Sequence, residues 1–398
     1  MNLFFIIVFS VSILAVLHSY VLYPLLMQLL ARFKKQNAIV FETNSEFPEV
    51  IILLSAYNEQ KVIAQKIESV IASDYPKNKL QLWIGSDNSS DETVDIIESY
   101  QKQYPFIRLF AYTDRNGKAG VLNRLHTMLQ HEYCEEQLQK TVLILTDANV
   151  FFEPQTIYEL AKHFRNATIA QVGANIQNSG LREDGISLHE KNYIQRENRI
   201  KFYEGLYGVM QGAFGGCYAL RASRFPKIPA NFLMEDFYIS LAVLEKREQA
   251  IFEPKALCIE DVSNDVSEEF KRKTRISAGN FQNLRAYWKL LLRFDFNAFC
   301  FFSHKVLRWL TPLFILLSVV SALFLAHYDL FKVIIVLQGL LFVSPFVDLQ
   351  LKKANIHIKI VRLSAYFVLM NVALVKGFEL FLKGVKTNAW TPTKRNIE

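Results

Sequence analysis

Several acidic and amide side chains follow apolar runs that have the composition of buried strands. Carboxylate and amide oxygens can coordinate a hard cation, and a carboxylate can also accept a proton as a general base. The same residue types often begin turns or helices, so their place in the fold decides between chemistry and structure. The candidates are Asp87 and Asp91 after residues 80–86, Asp147 and Asn149 after residues 141–146, and the later pair Glu235 and Asp236.

Residues 45–285 contain alternating strand and helix patterns that would position these side chains. Uninterrupted apolar runs predict buried strands, and apolar residues repeating with helical spacing predict helices. This alternation favours an α/β fold with a doubly wound, mostly parallel sheet, in which ligands bind beyond the carboxyl ends of the strands. Ser89 and Glu92 have the spacing of a capping box. The predicted strands are 50–56, 80–86, 107–112 and 141–146, and the predicted helices are 59–73, 91–103 and 119–129.

Two common nucleotide-binding motifs are missing from the sequence. A G-x-G-x-x-G fingerprint does not follow the first predicted strand, which argues against a dinucleotide site. Gly117 and Lys118 lack the upstream glycine that a P-loop needs. The glycine-rich stretch G-A-F-G-G at 212–216 precedes a strand pattern and opens no helix. The acidic residues at the strand ends therefore remain as the candidate site.

The apolar residues concentrate at the two ends of the 398-residue chain, which is 51% hydrophobic and contains 32 Phe. Residues 3–31 carry no charge and exceed the roughly 20 residues that cross a bilayer, so residues 1–35 are expected to form a transmembrane helix. Arg32, Lys34 and Lys35 follow this run. The positive-inside rule then places residues 45–285 in the cytoplasm.

The C-terminal third is expected to return to the membrane. Residues 286–305 mix aromatic, aliphatic and basic residues and predict an amphipathic interface helix. Residues 306–349 predict a transmembrane hairpin that turns near Asp329. Residues 360–383 contain Asn371, Lys376 and Glu379, so this third segment either spans the membrane or lies in its interface. Residues 384–398 form a basic tail.

The net charge of +7 and the four cysteines restrict the function further. Lysine and arginine beside membrane segments are attracted to anionic lipid, which accounts for the basic balance. A nucleic-acid partner is not expected, because no basic stripe with interleaved aromatic residues appears. The cysteines form no C-x-x-C pair, which suits a reduced cytosolic domain and argues against structural zinc.

Six short motifs follow one another along the sequence: S-A-Y-N-E at 55–59, S-D-N-S-S-D at 86–91, N-G-K-A-G at 116–120, T-D-A-N at 146–149, G-A-F-G-G-C at 212–217 and M-E-D-F at 234–237. In this order they resemble the motifs of membrane-bound inverting family-2 glycosyltransferases, the group that contains cellulose, chitin and hyaluronan synthases. The resemblance implies a GT-A-like fold flanked by membrane helices, a nucleotide-sugar donor, and a lipid-linked or saccharide acceptor in cell-envelope synthesis. A bacterial-type plasma membrane would be its location.

The resemblance also implies roles for individual residues. Asp236 would be the catalytic base. Asp147 would contact Mg²⁺ or Mn²⁺, with Asn149 in place of the second acid of the D-x-D motif, and Asp87 would hold the nucleoside. Gly215, Gly216 and Glu235 would lie at the acceptor. The implied donor-binding residues are Ala56, Asn58, Glu59, Asp87, Asp91, Lys118, Asp147, Arg272 and Arg275.

Residues 272–276 depart from the processive members of that group. They read R-K-T-R-I where those members carry Q-x-x-R-W, and only Arg275 matches. Loss of the aromatic residue favours the addition of one or a few sugars, while a processive synthase and a pore-forming homo-oligomer remain alternatives. A nucleotidyltransferase would be expected to carry a glycine-rich basic loop after the first strand, but residues 55–60 contain no glycine. A non-catalytic membrane partner would be expected to lose the acids.

Overall fold

The computed structural model describes residues 1–43, 46–179, 187–261, 266–354 and 356–388. The chain divides into two compact units. The helical unit comprises Met1–Leu26 and Val266–Gly384, and the sheet unit comprises Met27–Asp265 and the residues from Val385 onward.

The sheet unit contains eight strands and most of the shorter helices. The strands are β1 (Val50–Ala56), β2 (Leu80–Asp87), β3 (Ile107–Tyr112), β4 (Val142–Thr146), β5 (Val150–Phe152), β6 (Ile169–Ser179), β7 (Cys217–Arg221) and β8 (Gln249–Asp261). The helices in chain order are α1 (Asn2–Leu17), α2 (Tyr23–Ala31), α3 (Ile63–Ile71), α4 (Thr93–Gln103), α5 (Gly117–Glu132), α6 (Glu135–Lys140), α7 (Thr156–Ala161), α8 (Ser187–Gly205), α9 (Glu235–Glu245), α10 (Val266–Tyr287), α11 (Phe296–Cys300), α12 (Leu307–Trp309), α13 (Thr311–Phe324), α14 (Asp329–Lys353) and α15 (Lys359–Lys383).

The strands form one mixed sheet in the order β3-β2-β1-β4-β7-β6-β8-β5. Strands β3, β2, β1 and β4 are parallel, β7 runs antiparallel to β4 and β6, and β6 is parallel to β8. Successive side chains of a strand point to opposite faces. Ile52 of β1 therefore packs in one core cluster with Ile67 of α3, and Leu53 packs in another with Leu125 of α5. Helices on both faces confirm the predicted doubly wound α/β fold.

The predicted elements agree closely with the observed ones in the first half of the sheet. Strands 50–56 and 107–112 match β1 and β3 residue for residue, and the other strands and helices are shifted by a few residues at their ends. The expected capping box is wrong, because Glu92 occupies the N-cap position of α4 without a side-chain cap. The Ser89 hydroxyl instead accepts the backbone N–H of Asn58 at 3.2 Å and the hydroxyl of Ser86 at 2.9 Å. Bonding between neighbouring loops has turned Ser89 away from the helix.

Among the residues that the structure describes, three helical segments are long and apolar enough to cross a membrane: Asn2–Ala31, Asp329–Lys353 and Lys359–Lys383. The last includes the segment 360–383, whose sequence left spanning and interfacial placement open. A fourth span exists only if Phe296–Trp309 and Thr311–Phe324, which meet at 62°, are counted together.

Two expectations for the C-terminal third need correction. Residues 286–305 do not form one amphipathic helix: Phe294 has a left-handed backbone (φ 50°), and Asp295 begins α11 by accepting the N–H of Ala298 at 2.8 Å. The first arm of the expected hairpin is a straight helix only from Thr311, because Pro312 lacks an N–H and fits only the first turn of a helix. The basic tail from residue 389 onward lies outside the described residues.

Candidate active site

The parallel strands bring their carboxyl ends, and the residues that follow them, to one edge of the sheet. Asp87 ends β2, and Asp147 follows β4. Strand β7 is antiparallel to β4, so it begins at this edge and the glycine-rich loop 212–216 lies here too. The backbone N–H of Asp147 donates to the carbonyl of Gly216 at 3.1 Å, which joins that loop to β4. The sheet topology thus gathers motifs that are far apart in sequence.

Lys118, in the first turn of α5, links three of these motifs. Its Nζ lies 2.6 Å from Asp147 Oδ1 and 2.7 Å from Glu235 Oε1, and it donates to the carbonyl of Gly215 at 3.2 Å. Burial by itself would lower the pKa of Lys118, but the Asp147 and Glu235 carboxylates outweigh burial and raise it. Lys118 is therefore a fixed cation at the centre of the acidic cluster.

Asp147 and Asn149 are the residues that could hold a metal ion beside this cluster. The Asp147 side chain is 34% exposed, so it remains open to a ligand. Asn149 is 8% exposed, and its side chain makes no hydrogen bond to the residues that the structure describes. Within the described ranges no group of three or more His, Cys, Asp or Glu is placed to hold a metal. One carboxylate and one amide fit a cation that takes its other ligands from phosphate and water.

Asp236 lies in the first turn of α9 and is 6% exposed. Its Oδ1 accepts the backbone N–H of Phe237 at 2.8 Å, and a Cβ on Gly215 would come within 2.8 Å of its Oδ2. Burial and the adjacent Glu235 carboxylate raise the pKa of Asp236 to about 6, against the opposing charges of Lys118 and Lys201. A carboxylate with such a pKa can accept a proton near neutral pH.

Lys201 of α8 is a residue that the sequence analysis missed. It is 3% exposed, and its Nζ lies 3.3 Å from the ring centroid of Phe214, in the glycine-rich loop beside Asp236. In sequence it stands among charged residues (E-N-R-I-K-F-Y-E at 197–204), a pattern typical of a solvated helix face. Three buried charged residues share one face of this helix: Glu197, Lys201 and Glu204. Their spacing of four and three residues was the sequence signal that could have indicated a buried charged face.

Asp87 makes hydrogen bonds that the sequence did not predict. Its two oxygens accept the backbone N–H groups of Asn116 at 2.7 Å and Gly117 at 2.9 Å, and it is 2% exposed. The carboxylate therefore holds the start of α5, and with it the position of Lys118. Arg115 lies 3.8 Å from Asp87 and stacks its guanidinium 3.4 Å from the ring centroid of Tyr57. Tyr57 was overlooked although it lies within the motif S-A-Y-N-E.

The remaining candidates after β1 and β2 tie two loops together. Asn58 has a left-handed backbone (φ 52°), and its Oδ1 accepts the N–H of Ser90 at 2.9 Å. Asp91 accepts the N–H groups of Gln60 at 3.2 Å and Thr93 at 3.1 Å. Glu59 donates its N–H to the Thr93 hydroxyl at 2.8 Å. Together with Ala56, the last residue of β1, these residues build a rigid rim beside Asp87.

The other predicted site residues have simpler surroundings. A Cβ on Gly216 would come within 2.9 Å of Ile176 and 3.0 Å of Val150, so packing inside the sheet unit already requires a glycine there. Arg272 and Arg275 lie on α10 of the helical unit. Arg272 donates from Nε to Glu269 at 2.8 Å, one turn away on the same helix. The candidate residues that contact one another therefore all lie within the sheet unit, around Lys118.

The model of the family described as "Glycosyl transferase family 2" matches residues 51–228. The chain carries a family-2 glycosyltransferase domain. This agrees with the motif resemblance, and the chain is a glycosyltransferase.

The alignments with three curated relatives cover different shares of the two proteins compared. A probable glycosyltransferase, YdaM of Bacillus subtilis, is 36% identical over 85 residues, which is 21% of this chain and only 20% of that protein. The poly-beta-1,6-N-acetyl-D-glucosamine synthase of Staphylococcus epidermidis is 22% identical over 392 residues, covering 91% of this chain and 92% of the synthase. The beta-monoglucosyldiacylglycerol synthase of Synechocystis is 31% identical over 162 residues, covering 39% of this chain and 32% of that protein.

A solved structure supports the fold of the glycosyltransferase along most of its length. The mannosyltransferase PcManGT of Pyrobaculum calidifontis, solved with GDP-Man and Mn²⁺, superposes with a TM-score of 0.67 at 17% identity. The superposition covers 94% of this chain and 99% of that one. The predicted GT-A-like fold is confirmed.

Proposed function

We propose that this glycosyltransferase moves one or a few sugars from a nucleotide-sugar to a lipid-linked or saccharide acceptor, with inversion at the anomeric carbon. The observation that carries the proposal is the cluster around Lys118, which joins Asp147 and Glu235 beside the buried Asp236. The cluster combines a fixed positive charge, a partly exposed carboxylate and a carboxylate whose pKa is raised to about 6.

Lys118, Asp147 and Asn149 would receive the diphosphate of the donor. Lys118 is held protonated and can contact phosphate oxygens, while Asp147 and Asn149 offer oxygen ligands to Mg²⁺ or Mn²⁺ on the diphosphate. Such a cation would stabilise the negative charge that develops on the leaving group. The neighbouring rim of Ala56, Asn58, Glu59, Asp87 and Asp91 would hold the nucleoside, and Arg272 and Arg275 would add charge at the diphosphate.

Asp236 would act on the acceptor. The acceptor hydroxyl oxygen forms a bond to the anomeric carbon, the bond from that carbon to the diphosphate oxygen breaks, and the hydroxyl proton passes to Asp236. Attack from the face opposite the leaving group inverts the anomeric carbon. Gly215 has no side chain that could press on Asp236 Oδ2. Glu235, already paired with Lys118, would border the acceptor.

The acceptor and the product length follow from less direct observations. One relative is named as a polysaccharide synthase and another as a glycolipid synthase, so both acceptor classes stay within the proposal. The replacement of Gln and Trp in residues 272–276 favours short additions. We infer that the sheet unit faces the cytoplasm of a bacterial-type cell, as Arg32, Lys34 and Lys35 indicate, and that the product serves the cell envelope.

A donor panel tests the proposal. The detergent-purified full chain, given Mn²⁺ and a series of nucleotide-sugars, should slowly release nucleoside diphosphate from one or a few donors. Asp236→Asn should lose this activity and keep its nucleotide affinity. Release of pyrophosphate from nucleoside triphosphates would point to a nucleotidyltransferase instead. Failure to bind or hydrolyse any donor would support the non-catalytic alternative.

A binding measurement tests the metal assignment. Asp147→Ala should abolish Mn²⁺-dependent binding of nucleoside diphosphate in titration calorimetry, because it removes the cluster's open carboxylate. Asp95→Ala, on the exposed face of α4, is the matched control and should bind like the wild type. If Asp147→Ala binds with Mn²⁺ as the wild type does, Asp147 holds no metal.

Product length is decided in liposomes. With radiolabelled donor and a lipid extract, short glycolipids that partition into organic solvent would support addition of one or a few sugars. A polymer needs a polar path through the membrane, since unsatisfied polar groups in hydrocarbon cost several kcal/mol each. High-molecular-weight product made without added acceptor would establish the processive alternative.

A further inference from the structure

A polar cavity of about 250 Å³ lies in the sheet unit, at the edge of the sheet opposite the cluster around Lys118. Strand β6 is antiparallel to β7, and β8 is parallel to β6. Because β7 begins at the edge that carries the cluster around Lys118, β6 and β8 begin at the opposite edge. We propose that the cavity binds the phosphate of an anionic membrane lipid. The lining residues that carry the argument are Lys34, Lys35, Asn37, His163, Tyr207 and Glu253.

The charges that line the cavity favour an anion. Lys34 and Lys35 are exposed, and neither forms an ion pair with any residue that the structure describes. The carboxylate of Glu253 is engaged within the wall, because His163 Nε2 donates to it at 2.7 Å and Lys162 Nζ, which also pairs with Glu159, lies 3.3 Å from it. Burial by itself would raise the pKa of Glu253, but these partners hold it below its ordinary value. Two lysine charges therefore remain to receive a phosphate.

Hydrogen bonds within the wall hold the cavity open. Asn37 donates to His163 Nδ1 at 3.1 Å and to the carbonyl of Ile39 at 2.9 Å, and its Oδ1 accepts from Asn166 at 3.0 Å. Since His163 Nδ1 accepts, its Nε2 carries the hydrogen that is donated to Glu253. This network fixes Asn37, two residues after Lys35, and so anchors the backbone that carries both lysines.

The position of the lysines in the chain identifies the source of the phosphate. Lys34 follows the candidate membrane span Asn2–Ala31 after two residues. Tyr207 donates its hydroxyl to the carbonyl of Leu30 at 2.9 Å, and Lys34 Nζ lies 5.1 Å from the Tyr207 ring centroid. Where a chain leaves a membrane helix, lipid headgroups surround it. The cavity is smaller than the roughly 300–1,000 Å³ of drug-sized ligand sites, and a headgroup phosphate suits that size.

The test is a lipid titration of the delipidated, detergent-solubilised full chain. Short-chain phosphatidylglycerol should bind and raise the unfolding temperature, whereas phosphatidylcholine of the same chain length should do neither. The double variant Lys34→Gln/Lys35→Gln should bind phosphatidylglycerol about 25-fold more weakly, since each lysine near anionic lipid contributes roughly fivefold. The matched control Lys352→Gln/Lys353→Gln removes the same charge at the end of α14, outside the cavity, and should bind like the wild type.

Each outcome decides the proposal. Equal losses in both double variants, or no loss in either, would overturn it, because the lysines of the cavity would then have no special role. Inorganic phosphate and glycerol 3-phosphate separate the two sources: if either stabilises the wild type but not Lys34→Gln/Lys35→Gln, while phosphatidylglycerol does not, the site takes a soluble phosphate and the lipid assignment is wrong. These readouts measure binding and do not depend on the proposed sugar transfer.

Discussion

At the scale of single residues, Asp236 combines burial with a neighbouring negative charge. Both effects disfavour its ionised form, and they raise its pKa to about 6. In the unfolded chain an aspartate has a pKa near 3.9. The folded protein therefore binds more protons than the unfolded chain between about pH 4 and 6. Stability falls as the pH rises through that window and levels off above it, so the ionised carboxylate of the proposed base destabilises the fold.

Asp236→Asn should consequently lose activity and gain stability. Turnover should fall by roughly a hundredfold to ten-thousandfold, the usual contribution of a general base. The amide keeps an oxygen to accept the N–H of Phe237 and carries no charge, so unfolding at pH 7.5 should occur several degrees higher. Turnover and thermal unfolding of the purified protein check both parts. A variant that keeps more than about a tenth of the wild-type turnover would show that Asp236 is not the base.

Lys201 should set the pH at which this base becomes active. The charged or titratable groups that face Asp236 are Glu235 on its own helix, Lys118 on α5, Lys201 on α8 and Tyr218 on β7. The Lys201 charge lowers the pKa of Asp236, so Lys201→Met should raise it. Activity requires the ionised carboxylate, and the acid limb of the rate profile should move to higher pH.

The measurement for Lys201 is the pH profile of kcat at saturating donor. Lys246→Met, which removes an exposed charge at the far end of α9, is the control and should leave the acid limb in place. An unchanged profile in Lys201→Met, with donor affinity intact, would limit Lys201 to packing against Phe214.

At the scale of elements, the loop 212–216 and the start of α9 depend on each other. Gly215 lies so close to Asp236 that an added Cβ would come within 2.8 Å of Oδ2. Real Cβ atoms essentially never approach an oxygen that closely, so the carboxylate or the loop has to move. The same loop supplies the carbonyl that accepts from Lys118 at 3.2 Å. The loop therefore positions the proposed base and the central cation together.

Gly215→Ala should lower kcat by about tenfold to a hundredfold, because a shift of about 1 Å in a reacting group can have that effect. Nucleotide affinity should change little. Gly339→Ala in α14 is the matched control, since an added Cβ there meets no atom within 4 Å, and its kcat should equal that of the wild type. Steady-state kinetics with separate measurement of nucleotide binding distinguishes the two effects. Equal kcat values for both variants would contradict a tight fit at Gly215.

At the scale of the whole molecule, apolar helices lie before and after the sheet unit in the chain. An apolar helix comes first, the sheet unit follows, and apolar helices return from α13 onward. Lys and Arg cluster directly after the first candidate span, and the proposed cytoplasmic location of the sheet unit rests on this cluster. That compartment is also where the proposed donor would be found.

Cysteine labelling in intact cells tests this topology. In a Cys134→Ser background, which removes the exposed cysteine and leaves three buried ones, Glu42→Cys should resist a membrane-impermeant thiol reagent until the cells are opened. His327→Cys, between α13 and α14, should label from outside if those helices form the expected hairpin. Ready labelling of Glu42→Cys in intact cells would reverse the orientation.

The sequence alone determined the elements of the first half of the sheet unit, and it identified the acidic residues at the ends of its strands. Strands β1 and β3 were predicted residue for residue, because a buried strand requires an unbroken apolar run and this is a local property. The acids after β2 and β4 and at the start of α9 were found for the same reason, since strand ends and helix starts follow from local pattern. The apolar helices were equally visible, because crossing a bilayer requires length and apolar composition alone.

Only the tertiary structure decided which of these residues act on one another. Lys118 contacts Asp147 and Glu235, and the carbonyl it bonds lies 97 residues further along the chain. Asp87 turned out to hold the start of α5, and Lys201 turned out to be buried beside the base. Local pattern cannot supply such facts, because the pKa and the partners of a side chain depend on burial and on charges that the strand order β1-β4-β7 brings together.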